Sequence, residues 1–328
     1  MTKTSPVFDL RAWKLALAGP SVYWYFPVFF VLLSSGLSPD PTRLFLLMIV
    51  LVVSASWGFL VNDFFDRETD ARSGRRDALH GHGISSTRMY ILIIVSAVVS
   101  WAIVFAIGGG LAFKFVLAVN YAVAFFYSAP PLRFKVRRFW GFLANSLIER
   151  PLPILVLLTY MNYYTAATVA LPVLLELTWS VFKHQAADIK GDLDAGVTTF
   201  AASLGEERSN RIVHSFLNPA SVVSLLVLAA LAFTSIPRLS LELGVTITLI
   251  VLGVIAALYA ERRGRVTRYF TPTDPPYIVA LNLAYRYLLL PVMAVGVLFL
   301  RPGYDLLVVF LGASLVFQAY LYVRLLKP

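Results

Sequence analysis

Two short acidic segments are set apart by the chemistry their spacing permits. Asn62, Asp66 and Asp70 fall at i, i+4 and i+8 in the run Asn62-Asp63-Phe64-Phe65-Asp66-Arg67-Glu68-Thr69-Asp70. On a helix this places three oxygen donors on one face, about 6 Å apart per step. Asp188 and Asp192 repeat the i, i+4 spacing in Asp188-Ile189-Lys190-Gly191-Asp192. Hard oxygen donors select magnesium or a similar cation, and magnesium prefers to share its shell with substrate phosphate. Two facing sets of carboxylates repel each other. A pair of divalent cations and an anionic diphosphate would neutralise them. The plain alternative is a pair of solvated acidic loops.

The elements that must carry these segments are membrane helices. Of the 328 residues, 59% are hydrophobic and only 14% charged, against about 25% charged in a soluble domain. Apolar runs recur at roughly the 20 residues that span a hydrocarbon core. Candidate spans are 16–36, 42–63, 87–108, 111–129, 140–161, 165–186, 212–234, 239–261, 277–300 and 303–325. The reading is a single transmembrane domain over 1–328, all-α and polytopic, with an extra C-terminal hairpin at 277–325. Gly108-Gly109-Gly110 and Arg301-Pro302-Gly303 suit tight helix-helix turns. Met1 to Trp13 carries no small-residue cleavage site, so no cleaved signal peptide is expected.

The basic residues sort to one side. Arg67, Arg72, Arg75, Arg76 and Arg88 fall in one loop region, and Arg133, Lys135, Arg137 and Arg138 in the next of that side. Lys190, Arg208 and Arg211, then Arg262, Arg263, Arg265 and Arg268, follow there. The opposite loops hold little beyond Arg43, Arg238 and Arg301. The positive-inside rule makes the basic side cytoplasmic, with both termini, in the cell membrane. It also explains the net charge of +10 without nucleic acid. A weak repeat relates about 16–135 to 140–261. Its second and sixth spans both run into an acidic segment, so both segments end on the cytoplasmic side and can meet there. That recurrence argues against the solvated loops.

The absence of cysteine removes disulfides, thiolate metal sites and cysteine nucleophiles. Some polar groups lie deeper. Asn145 and Glu149 share one face of the fifth span, with Arg150 beside Glu149; Glu176, Lys183 and His184 lie in or near the sixth; Asn282 and Arg286 share a face of the ninth. Intramembrane charges are costly and face a cavity or a partner. Two readings stand: helix pairing, such as Glu149 or Glu176 with Arg286, or a cavity lined by Asn145 and Glu149. His80, His82 and His214 read as loop or interface residues.

At these motifs the chain resembles the UbiA superfamily of intramembrane prenyltransferases. The first segment matches the pattern N-D-x-x-D-x-x-x-D. The second matches D-x-x-x-D with Gly196, Thr199, Phe200, Ala201, Leu204 and Gly205 after it. Between them, Tyr127-Ser128-Ala129-Pro130-Pro131-Leu132-Arg133-Phe134-Lys135 is similar to the family's Y-S-x-P-P-x-R-x-K segment. The resemblance covers roughly residues 10–300. It implies a helical bundle around a central cavity and magnesium-dependent transfer of a prenyl group from a prenyl diphosphate. It implies that Asn62, Asp66, Asp70, Asp188 and Asp192 hold the metals, with Asp63 beside them as a hydrogen-bonding or base candidate. Tyr127 and Lys135 would contact the diphosphate, and Arg75 falls where the family often carries a diphosphate-binding arginine.

Three features depart from the pattern. Ala18-Gly19-Pro20-Ser21 stands where many members carry Arg-Pro, leaving Lys14 as the nearby cation. Asp77 to Gly83 replaces an Arg-Pro-Leu segment, and Gln185 replaces an acid before the second motif. A tenth span would exceed the usual nine. The metal set is complete; the differences bear on the acceptor. The expected partners are a prenyl diphosphate, membrane lipids and an aromatic or lipid-soluble acceptor. A membrane terpene cyclase acting on the same donor is the alternative, and a transporter using the acids as an ion site is a more distant one.

Overall fold

A computed structural model of the chain describes residues 39–72, 84–178, 180–194 and 196–234, together with Gly303 and Val309. Among these residues the regular elements are all helical, and extended pairing is confined to one isolated bridge between Arg138 and Thr199. The helices are α1 (Pro41–Arg72), α2 (Ser86–Ile107), α3 (Leu111–Ser128), α4 (Phe139–Glu149) and α5 (Pro151–Met161). They continue with α6 (Ala166–Thr178), α7 (Val181–Ala187), α8 (Ile189–Asp194), α9 (Phe200–Leu204), α10 (Glu206–Ile212) and α11 (Asn218–Thr234).

Four helical stretches among the described residues are long and apolar enough to cross a membrane: Pro41–Glu68, Ser86–Ile107, Leu111–Ser128 and Glu206–Leu228. The pair α4 and α5, bent by 40° at its break, would make a fifth. These correspond to the expected spans 42–63, 87–108, 111–129, 212–234 and 140–161. Spans 16–36, 239–261, 277–300 and 303–325 lie outside the described residues, apart from Gly303 and Val309. On α2 the side chains of Ile91, Val95, Val98 and Phe105 are exposed, an apolar stripe that suits lipid contact. Gly108 and Gly109 join α2 to α3 with φ of 77° and 107°, a backbone region that glycine enters without a Cβ clash.

The expected helix over 165–186 is divided. α6 ends at Thr178 and α7 begins at Val181. Polar side chains take over the backbone partners at the break. The Thr178 hydroxyl donates to the carbonyls of Leu174 and Leu175. Glu176 Oε1 accepts from the Val181 amide at 2.9 Å, and Ser180 Oγ from the Phe182 amide at 3.2 Å. Local side-chain bonds of this type compete with the helix ladder.

The described residues fall into two compact units. The first holds α1 from Leu46 onward, α2 to α5, α8 and α9. In it Leu60, Ile84 and Met89 form a small core with Phe64 packed against it, joining α1 to α2. Trp57 meets Tyr121 edge-on at 4.6 Å, joining α1 to α3. Phe113 of α3 packs on Tyr160 of α5 at 5.1 Å. In the second unit α6 packs along α11, and Ser221 Oγ donates to the Thr178 carbonyl at 3.0 Å. A wider turn at Val213–Leu217 links α10 to α11.

Candidate active site

The first unit carries residues of both acidic segments. Near the C-terminal end of α1, Asn62 and Asp63 are half-buried and Asp66 is only 1% exposed. An ionised carboxylate this buried needs a counter-charge. Lys135 supplies one: its ammonium pairs with Asp66 Oδ2.

Lys135 lies on the short helical turn Phe134–Val136 between α3 and α4. Arg133, in left-handed backbone with φ 39° and ψ 59°, starts that turn. The amides of Arg133, Val136 and Arg137 donate to the carbonyls of Ala129, Arg133 and Phe134. The turn is also pressed against α4. A Cβ on Gly141 would stand 2.6 Å from the Phe134 carbonyl oxygen and 3.0 Å from Lys135 Cα. Only glycine leaves room for that approach.

Ser128, the last residue of α3, donates to Asn62 Oδ1 at 2.7 Å. Its neighbour Tyr127 is half-buried, and the phenol lies within electrostatic range of Asp66, Glu149 and Asp192. Both acidic segments therefore act on the surroundings of one hydroxyl.

The second segment opens α8. The Asp192 amide donates to the Asp188 carbonyl at 2.8 Å, closing the expected turn. Asp188 is exposed, and its Oδ1 lies against Gly191, where a Cβ would come within 2.5 Å. Asp192 Oδ2 accepts from Thr199 Oγ1 at 3.0 Å. Thr199 also caps α9 through the Ala202 amide and bridges to Arg138. Phe200 packs on Phe139 and Phe142 of α4 at 5.7 and 5.6 Å. The Asp192 segment is thus fastened to the stretch of chain that follows Lys135.

The structure therefore groups Asn62, Asp66, Tyr127, Lys135, Glu149 and Asp192. Asp63 sits beside Asn62, and Asn145 lies one turn before Glu149 on α4. Lys14 and Arg75 lie outside the described residues. Asp70 falls within α1, but its side chain is not among those described. Glu149 pairs with Arg150 at 3.3 Å, and Glu176 accepts the Val181 amide; Arg286 lies outside the described residues. Asp194, two residues past Asp192, ends α8 and is exposed.

Among the described residues no three His, Asp or Glu side chains converge as a metal cluster. The donors nonetheless fit a hard cation. Asn62, Asp66 and Asp192 offer oxygen only, and a positive group, the Lys135 ammonium, already sits on the buried Asp66 carboxylate.

Ser128, Thr199 and Arg150 bond to candidate residues, and Gly141 lies against the Lys135 backbone, contacts that the sequence alone does not assign. Ser128 and Thr199 stand inside recognisable motifs, which was a usable signal. Nothing in the sequence around Gly141 marks its close approach.

Residues 23–273, well over half of the chain, match the UbiA prenyltransferase family. The chain belongs to that family, is an all-helical integral membrane protein, and is a prenyltransferase. It is 28% identical over 228 residues to a lycopene elongase/hydratase from Haloferax volcanii, covering 66% of this chain and 68% of that protein. Two solved structures of a UbiA homolog from Archaeoglobus fulgidus share the fold. One, bound to DMAPP and Mg2+, is 21% identical with a TM-score of 0.52, over 84% of this chain and 98% of that one. The other, bound to GPP and Mg2+, is 20% identical with a TM-score of 0.54, over 86% and 98%.

Proposed function

We propose that the protein transfers the prenyl group of a short allylic diphosphate to the end of an apolar polyene within the membrane, in a magnesium-dependent reaction. The observation that carries this reading is the grouping of Asp66, Asp192 and Glu149 about Tyr127, with Lys135 paired to Asp66. It is a site of fixed charges placed where a diphosphate can be held. DMAPP and GPP in the structures of similar fold indicate the donor class. The name of the Haloferax relative points to a linear polyene as acceptor. The missing arginine at Gly19 agrees, because an acidic aromatic acceptor needs a nearby cation and an apolar chain does not.

Asn62, Asp66, Asp70, Asp188 and Asp192 would hold the magnesium, whose charge stabilises the departing diphosphate. Lys135 leaves Asp66 for the diphosphate oxygens when the donor binds, and Tyr127 and Arg75 add donors. Fixed donors of this kind act by electrostatic preorganisation. Asn145 and Glu149 face the acceptor, with Lys14 at the first span and Asp63 beside the metal ligands. The aromatic rings of Phe65, Phe125 and Trp57, in contact at 5.8 and 6.4 Å, continue from Asp66 along α1 and α3. They offer an apolar wall to a carbocation that must be kept from water. The Lys135 side of the protein is cytoplasmic, in the cell membrane.

The test is product analysis. Purified protein in liposomes receives dimethylallyl diphosphate, Mg2+ and lycopene, and the lipid fraction is read by mass spectrometry. Lycopene bearing added C5 units is expected. Diphosphate release with no prenylated lipid would overturn the polyene reading. Cyclic hydrocarbon formed from geranyl diphosphate without any acceptor would favour the cyclase alternative.

A further inference from the structure

The site contains a carboxylate that belongs to neither acidic segment. Glu149 is the last residue of α4, and Arg150 occupies the 40° break before Pro151 opens α5. Arg150 is wholly buried at 0% exposure, the largest side chain so enclosed among the described residues. Its Nη2 donates to Glu149 Oε2 at 3.3 Å. The guanidinium sets a positive charge and a fixed donor against that carboxylate. Glu149 itself is 27% exposed. One end of the carboxylate is held by a buried cation while the group stays accessible. Glu149 also stands within electrostatic range of Tyr127, as do Asp66 and Asp192.

Coupling creates a need for such a group. When the donor C1–O bond breaks, its electron pair leaves with the diphosphate. The π pair of an acceptor double bond then forms the new C–C bond and leaves a cation on the neighbouring carbon. That cation is discharged when an adjacent C–H bond breaks. Its electron pair becomes a new double bond, and the proton goes to a base. Asp66 and Asp192 belong to the donor set proposed for metal and diphosphate, with Lys135 and Thr199 beside them. We infer that Glu149, paired with and oriented by the buried Arg150, takes the proton lost by the coupled cation and later returns it to water. Arg150 is a positioning residue for that step. The inference rests on the prenyl-transfer reading above.

The experiment measures the ratio of prenylated lycopene that has lost a proton to prenylated lycopene that has captured water, with diphosphate release as the rate, using the full chain in liposomes with dimethylallyl diphosphate, Mg2+ and lycopene. In Glu149→Gln the ratio should fall about tenfold or more, with tertiary alcohol formed by water capture of the coupled cation making up the difference. Glu149→Asp should recover much of the wild-type ratio, and Arg150→Lys should lie between. A Glu149→Gln ratio equal to wild type overturns the inference, whatever the overall rate. A Glu149→Gln protein that releases no diphosphate overturns it as well, because a proton acceptor acts after ionisation. A parallel arm uses geranyl diphosphate and Mg2+ without acceptor, where proton loss gives trienes and water capture gives alcohols. If wild type leaves lycopene untouched, the polyene reading fails. The inference is then decided by this arm: a shift of Glu149→Gln from trienes to alcohols supports it, and an unchanged ratio overturns it. Absence of diphosphate release by wild type in both arms removes the prenyl-transfer reading and the inference together.

Discussion

Asp66 is the most exacting residue of the site. Its carboxylate is enclosed at the end of a membrane helix and is matched by an ammonium from another part of the chain. Removing one partner of such a pair strands a buried charge, at a cost of several kcal/mol, about 3–5. Around it, single hydroxyls set the direction of the donors. Ser128→Ala removes the bond to Asn62 Oδ1 and should raise the Mg2+ concentration for half-maximal diphosphate release about tenfold. Ser128→Thr, which keeps the hydroxyl, should stay near wild type. An unchanged Mg2+ dependence in the alanine variant would detach this bond from metal binding. Thr199→Val loses both the bond to Asp192 and the cap on α9. A loss of roughly 1–2 kcal/mol is expected, read as a lower Tm in detergent.

At the scale of elements, the site depends on how closely α4 meets the turn that carries Lys135. Gly141→Ala would drive a methyl group into the Phe134 carbonyl and the Lys135 backbone. Neither is the loose end of a side chain, so the turn must move. Displacement on the ångström scale costs on the order of a hundredfold in rate. The prediction is a large fall in kcat/KM for the prenyl diphosphate with little change in Tm. Gly58→Ala is the control, because its Cβ would meet Ala124 Cβ at an ordinary 3.7 Å. Equal losses in the two variants would contradict the account. This element was the least legible in the sequence. The i, i+4 spacing of Asp188 and Asp192 showed a helical turn, and the Tyr127-to-Lys135 segment showed a motif. No periodicity reports that a loop and a helix touch backbone to backbone at one glycine. The break of 165–186 was hidden for a related reason: hydropathy measures apolar length, whereas the interruption comes from the hydrogen bonds of Thr178, Glu176 and Ser180.

For the whole molecule, apolar runs and charge sorting were enough to locate the spans that the structure describes, because lipid enforces helix length and loop charge so strictly. The residues proposed for metal and diphosphate in the two acidic segments and in the Tyr127-to-Lys135 segment stand out in the sequence because they fall in spaced motifs. The Glu149–Arg150 pair was readable only as two charges with several possible partners, since sequence does not say which neighbour a buried charge selects. Orientation can be tested directly, because the chain has no cysteine. In Arg137→Cys, a membrane-impermeant maleimide should label inside-out vesicles and leave intact cells unlabelled; labelling of intact cells would reverse the topology. The central claim is that the two acidic segments act together on one allylic diphosphate. Its most direct measurement is Mg2+-dependent diphosphate release from dimethylallyl diphosphate by wild type, Asp66→Ala and Asp188→Ala, each purified and shown to be folded. Joint action of the two segments predicts release by wild type and its loss in both variants. Turnover like wild type in both would contradict it.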